Sequence, residues 1–106
     1  MEIWSKEKIE EIITNNPIVV FGKGTRVSPQ CGFTLRAIQI LENCHDNFIV
    51  INIFENPNIK PNLVKISEWP TTPQVFIGGK FIGGSDIIME LFQKGELQNL
   101  INNAIQ

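Results

Sequence analysis

The chain has no tyrosine, only two cysteines and one histidine, and no long apolar run. The longest apolar stretches, such as Ile18-Val-Val-Phe21, fall far short of the roughly 20 residues a membrane-spanning helix needs, so no membrane partner is expected. Basic residues are not in excess either. Nine lysines and arginines against eleven aspartates and glutamates leave a net charge of −2. That argues against nucleic acid as the main partner, because phosphate binding leans on a basic face. The opening segment MEIWSKEKIEEIITNN mixes both signs of charge. It lacks the basic start, apolar middle and small-residue end of a secretory signal. Two cysteines without such a signal fit a reducing compartment, in which thiols stay free for chemistry. Repeats, low-complexity tracts and linkers are also missing, so one domain over residues 1–106 is expected. The missing tyrosine, with abundant Asn and Ile, hints at an AT-rich coding sequence and narrows little else.

What is present is an ordinary globular balance, with 42% hydrophobic and 19% charged residues. Ser5 is a good N-cap for a helix over Ser5 to Asn15, with Ile9, Ile12 and Ile13 at helical spacing and Pro17 stopping it. Ile18 to Phe21 reads as a strand buried on both faces. Phe33, Ala37, Ile38 and Leu41 mark the inner face of a second helix ending near Cys44. Phe48 to Phe54, nearly all apolar and β-branched, predicts a second central strand, parallel to the first through the helix between them. A third helix capped by Asn58 keeps Pro61 in its first turn, where proline is tolerated. Gln74 to Ile77, Gly78-Gly79 and Lys80 to Ile82 predict a tight hairpin. Ser85 then caps a fourth helix bearing Ile87, Ile88, Leu91 and Phe92, closed by Lys94-Gly95, and Glu96 to Ile105 is the last helix. The order predicts an α/β chain of thioredoxin-like fold, a four-stranded mixed sheet flanked by helices.

One feature carries chemistry more than any other. Cys31 sits where a glycine-bearing loop runs into the second helix, and a helix start offers unpaired N–H groups and partial positive charge that favour thiolate. Its competing reading is a small apolar residue at a helix start. Three residues on, where a CxxC motif has its second sulfur, stands Thr34, so any second thiol must come from outside. Thr34 either hydrogen-bonds the thiolate or bonds its own helix backbone. Lys23 either folds back over the thiol or lies in solvent. In Trp69-Pro-Thr-Thr-Pro73 the prolines hold the chain extended or turned, with Thr72-Pro73 a candidate cis peptide. Such a segment presents backbone groups to a peptide ligand. In Gly83-Gly-Ser-Asp86 the helix start suits a carboxylate and Asp86 an ammonium group, though Ser-Asp there is also plain capping. Jointly these elements describe a site for a small zwitterionic thiol peptide.

Several motifs, in one order and at matching spacing, carry a resemblance over nearly the whole chain. They are KGT at Lys23 to Thr25, PQCGF at Pro29 to Phe33, WPT with PQ at Trp69 to Gln74, GG-D at Gly83 to Asp86, and GELQ from Gly95. On them the chain resembles the monothiol glutaredoxins of the CGFS type. The resemblance implies a glutathione site and a [2Fe-2S] cluster held between two protomers. It implies Cys31 as cluster ligand and as the sulfur of a mixed disulfide. Lys23 and Lys60 would face a glutathione carboxylate, Thr72 would present backbone groups before a cis Pro73, and Ser85 and Asp86 would hold the γ-glutamyl end. Thr34 stands for the usual serine, Thr72 for a frequent phenylalanine, Ser85 for a common cysteine and Pro61 for the usual glutamine. Lys60 replaces arginine, trading a bidentate fork for a point charge.

A two-iron cluster generally takes four thiolates, so two chains and two glutathiones would complete the set. Cys44 lies on the order of 18–20 Å from Cys31 at 1.5 Å per residue, which excludes a direct disulfide and suggests a structural role. His45 reads as a helix-end residue, with a ligand role in a partner-shared cluster as the family alternative. The function expected first is iron–sulfur cluster assembly or transfer, by a homodimer when cluster-bound and a monomer when apo. Its partners would be iron–sulfur acceptor proteins and a BolA-like protein. The alternative is a glutathione-dependent thiol–disulfide oxidoreductase that removes glutathione through Cys31, for which the resemblance implies at most weak activity. A redox-sensing or adaptor module is the third reading. The expected compartment is bacterial cytoplasm, or an organellar matrix after loss of a leader.

Overall fold

The structure, a computed structural model, describes residues 3–106. Helix α1 spans Lys6–Asn15, and Ser5 caps it by accepting the Lys8 N–H at 3.1 Å. Strand β1 follows over Ile18–Gly22, helix α2 over Gly32–Cys44 and strand β2 over Ile49–Asn52. After a 3-10 turn at Ile53–Glu55 come α3 (Ile59–Ser67), β3 (Gln74–Ile77), β4 (Lys80–Gly83), α4 (Ser85–Gln93) and α5 (Glu96–Ile105). The four strands form one mixed sheet in the order β2-β1-β3-β4. Strand β1 pairs parallel with β2 and antiparallel with β3, and β3 pairs antiparallel with β4. Gly78 and Gly79, at φ 61° and 80°, make the tight turn that the two-glycine sequence predicts.

The alternation of side chains along β1 divides the core into two layers. Ile18 and Val20 pack with Ala37, Ile38 and Leu41 of α2, Ile88 of α4 and Leu97 and Ile101 of α5. Val19 and Phe21 pack on the other face with Ile9 and Ile13 of α1, Ile59 and Leu63 of α3, and Trp4. All five residues of β1 are buried, as a strand covered on both faces requires. Fully burying a side chain such as Phe21 contributes on the order of 2 to 3 kcal/mol.

Three expectations need correction. Strand β2 is an edge strand, not a central one, and its four residues are all half-buried. It is also shorter than Phe48 to Phe54, because the Asn52 side chain accepts the Phe54 N–H at 3.0 Å and turns the chain out of the sheet. Phe33 is 59% exposed and takes no part in the core. The buried stripe of α2 runs Thr34, Ala37, Ile38, Leu41, one residue out of step with an apolar reading, because a threonine opens it. In α4, Ile88 is buried while Ile87 and Phe92 face outward. Pro61 falls in the first turn of α3 as expected, although Asn58 makes no side-chain capping bond.

Candidate functional site

Three sets of contacts hold the loop after β1. Gly24 has φ 95°, and a Cβ on it would meet the Ser28 carbonyl and the Gln30 N–H nitrogen at 2.5 Å, so glycine is required there. Its N–H donates to Asn52 Oδ1 at 3.0 Å, tying the loop to the end of β2. Gln30 N–H closes the loop on the Lys23 carbonyl at 2.8 Å. Arg26 anchors its outer side: the guanidinium stacks 3.7 Å from the Phe48 ring, donates to the Phe48 carbonyl and pairs with Glu42.

This loop delivers Cys31 as the N-cap residue of α2, with extended backbone and its carbonyl accepting the Leu35 N–H at 2.9 Å. The thiol is half-buried. The helix-start N–H of Thr34 does most to hold its pKa below the ordinary cysteine value, against a smaller opposing effect of burial. The Phe33 N–H, the Thr34 hydroxyl and the charge of Lys23 add to the lowering, in that order. Thr34 is fully buried, and its hydroxyl oxygen accepts the Lys23 N–H at 3.2 Å, so the side chain serves neighbouring elements rather than its own helix backbone.

Opposite Cys31 lies the segment from Trp69 to Pro73. The Thr72-Pro73 peptide bond is cis. Buried Gln74 shapes this segment: its Nε2 donates to the Trp69 carbonyl at 2.9 Å and the Thr71 carbonyl at 3.1 Å. The third wall is the start of α4. Ser85 is not the cap expected for that helix; Gly84 takes the cap position, and the Ser85 hydroxyl accepts Arg36 Nε from α2 at 2.7 Å. A partner 49 residues away thus displaces the local capping role. Arg36 also pairs with the Asp86 carboxylate.

Together these walls enclose a cleft of about 500 Å³. All seven residues singled out from the sequence line it: Lys23, Cys31, Lys60, Thr72, Pro73, Ser85 and Asp86. Phe33, Trp69 and Ile87 add an exposed apolar rim. Lysines thus stand on one side of the thiol and a carboxylate on the other, an arrangement suited to an extended zwitterion carrying its own sulfur. Cys44 and His45 are not brought there. They close the far end of α2, where burial pushes the Cys44 thiol pKa up and the His45 N–H donates to the Leu41 carbonyl. Sequence reasoning missed Arg36, Arg26, Asn52 and Gln74. Only Gln74 left a trace, as a lone polar residue opening an apolar strand.

The family model described as Glutaredoxin matches residues 18–82. The chain is 47% identical over 105 residues to the uncharacterized monothiol glutaredoxin ycf64 of Porphyra purpurea, covering 99% of this chain and 98% of that one. Among solved structures, reduced poplar apo GrxS14 superposes with a TM-score of 0.84 at 40% identity, over 94% of this chain and 92% of that one. A buckwheat glutaredoxin solved as its glutathione complex superposes with a TM-score of 0.83 at 28% identity, over 93% and 88%.

Proposed function

The chain belongs to the glutaredoxin family, on its monothiol branch, and from that premise we propose that it binds glutathione beside Cys31 and ferries a [2Fe-2S] cluster to acceptor proteins. The cluster is cargo, held between two copies of the chain. The observation that carries the reading is the lone thiolate-favouring sulfur, Cys31, at the mouth of a cleft with cations on one side and a carboxylate on the other.

The lining of the cleft offers a counterpart to each part of glutathione. Lys23 and Lys60 suit its glycyl carboxylate, the segment at Thr72 and Pro73 its peptide backbone, and Ser85 with Asp86 its γ-glutamyl group. Among the described residues no group of three or more His, Cys, Asp or Glu stands together. A cluster therefore draws its remaining thiolates from outside the chain: one Cys31 from each of two copies and one sulfur from each of two glutathiones. The residues present fit such a loan. Cys31 holds the cargo, and the cations and Asp86 hold the solute that supplies the other ligand. Ligands borrowed from solution suit release as well as capture.

Anaerobic reconstitution with iron, sulfide and glutathione tests this. The expected product is a brown dimer that Cys31→Ser does not form. A colourless monomer from the unaltered chain removes the proposal.

The lowered Cys31 pKa also favours a second reading, removal of glutathione from protein mixed disulfides. The Cys31 thiolate attacks the glutathione sulfur and the protein thiolate leaves, taking a proton from water. A second glutathione then attacks the Cys31–glutathione bond and departs as glutathione disulfide, since Thr34 has no sulfur to do so. Rapid turnover of a glutathionylated substrate, lost in Cys31→Ser, would place this reading first.

A further inference from the structure

Arg36 lies on α2 five residues after Cys31, and its side chain crosses to the first turn of α4. Nε donates to Ser85 Oγ at 2.7 Å, and an Nη nitrogen pairs with Asp86 Oδ1. One cation therefore stands on both side chains proposed for the γ-glutamyl end of glutathione. The Arg36 side chain is 37% exposed and that of Asp86 88%, so the pair lies at the surface, with Asp86 in the cleft wall and Arg36 behind it. Asp86 Oδ2 bonds no described residue.

The charge balance at this end follows. A γ-glutamyl group carries an ammonium and an α-carboxylate on the same carbon. Asp86 alone attracts the first and repels the second. The Ile88 N–H is taken by the Gly84 carbonyl at 3.0 Å, while the N–H groups of Ser85, Asp86 and Ile87 precede the first helical bond. The Arg36 guanidinium, bonded to both side chains of that first turn, offsets the Asp86 charge that would repel a carboxylate seated on those groups. The ammonium keeps Asp86 Oδ2.

Resting on the glutathione reading, we propose that Arg36 offsets the negative charge of Asp86 and so makes this end of the cleft selective for an intact α-amino acid. A γ-glutamyl thiol with its α-carboxylate is preferred to one without it.

The test uses mixed-disulfide exchange at Cys31. The Cys31 thiolate attacks one sulfur of a symmetric disulfide, whose S–S bond breaks. The other half leaves as thiolate and takes a proton from water, so Cys31 is oxidised and the leaving sulfur reduced. Exchange is measured against glutathione disulfide and against the disulfide of γ-aminobutyryl-cysteinylglycine, which lacks the α-carboxylate. Peptide mass spectrometry separates Cys31 from Cys44. Arg36→Gln should lower the exchange constant for glutathione by up to about fivefold, the weight of one partly exposed charge interaction, and leave the analogue unchanged within about twofold. Arg36→Lys should fall between, and it carries the comparison if Arg36→Gln melts early. Equal losses for both compounds would make Arg36 a plain brace between α2 and α4 and overturn the proposal, as would unchanged glutathione exchange. An unaltered chain that forms no mixed disulfide with either compound overturns the glutathione reading itself, and this one with it.

Discussion

Lys23 donates its backbone N–H to the buried hydroxyl of Thr34 at 3.2 Å, joining the end of β1 to the first turn of α2 directly behind Cys31. The same threonine presses on Gly22, where an added Cβ would lie 2.6 Å from Thr34 Cγ2 and 2.9 Å from Oγ1. The thiol therefore rests on a contact between two main-chain segments with no slack between them.

Thr34→Val keeps the shape of this contact and removes its acceptor. The Lys23 N–H is then left unpaired, at a cost of about 1–3 kcal/mol in denaturant unfolding. Gly22→Ala should cost about 1–3 kcal/mol by overpacking against Thr34. Thr34→Ser deletes the nearer atom, Cγ2, so Gly22→Ala combined with Thr34→Ser should lose less than the sum of the two single changes. Strict additivity would show that the two residues do not press on one another in solution.

The two cysteines should separate cleanly by pH. Helix-start N–H groups hold the Cys31 pKa down, whereas burial pushes that of Cys44 up. Alkylation of Cys31 should set in at lower pH than for a free cysteine, and that of Cys44 at higher pH and more slowly. Linkage signs are opposite. The folded state gains from the Cys31 thiolate above the unfolded thiol pKa and loses that gain as pH falls through the depressed folded value. From the Cys44 thiol it gains below the unfolded pKa and loses as pH rises through the raised folded value. Peptide mass spectrometry across the pH range checks both, and a shared midpoint would contradict the placement of Cys31 at the helix start.

What could be read in advance divides along physical lines. Ile18 to Phe21 announced a strand covered on both faces, and Gly78-Gly79 announced the hairpin, because both signals are local. A β-branched run such as Phe48 to Phe54 looks the same at the centre or the edge of a sheet, so the position of β2 had to come from the pairing itself. Phe33 misled because hydrophobicity marks a helix face only when its first buried residue is apolar, and here that residue is Thr34. Cys31 and Asp86 were legible through motif spacing, and Lys60 only through the family resemblance. Arg36 was not, since its partners lie 49 and 50 residues away and only the packing of α2 against α4 joins them.

Gln74 should matter to both stability and ligand capture. It is fully buried at the head of β3, and its amide holds the Trp69 and Thr71 carbonyls at 2.9 and 3.1 Å. Gln74→Leu fills similar space but removes the amide donor from both carbonyls, leaving Trp69 only the Ser67 hydroxyl at 3.5 Å, at a cost on the order of 1 kcal/mol. The freed Trp69 to Thr72 segment should also lower mixed-disulfide formation at Cys31, with the thiol's alkylation midpoint unchanged, because Gln74 lies on the opposite wall. A shifted midpoint would contradict that division of labour.

Lys60 offers the cleanest test of how the carboxylate end is held. It is exposed on α3 and lines the cleft, so its attraction for a ligand carboxylate is a screened, point-charge interaction of roughly 0.2–1 kcal/mol. Lys60→Ala should therefore weaken glutathione exchange at Cys31 by about two- to fivefold at low salt, and by much less near 1 M, where the screening length falls to about 3 Å. Lys60→Arg restores a planar fork that meets both carboxylate oxygens and should tighten exchange about twofold beyond the unaltered chain. Lys23, half-buried beside the thiol, should respond differently. Lys23→Ala also removes the charge that lowers the Cys31 pKa, so beyond weakening exchange it raises the alkylation midpoint slightly. If Lys60→Ala left exchange untouched at every ionic strength, the ligand carboxylate would have to sit on Lys23 alone.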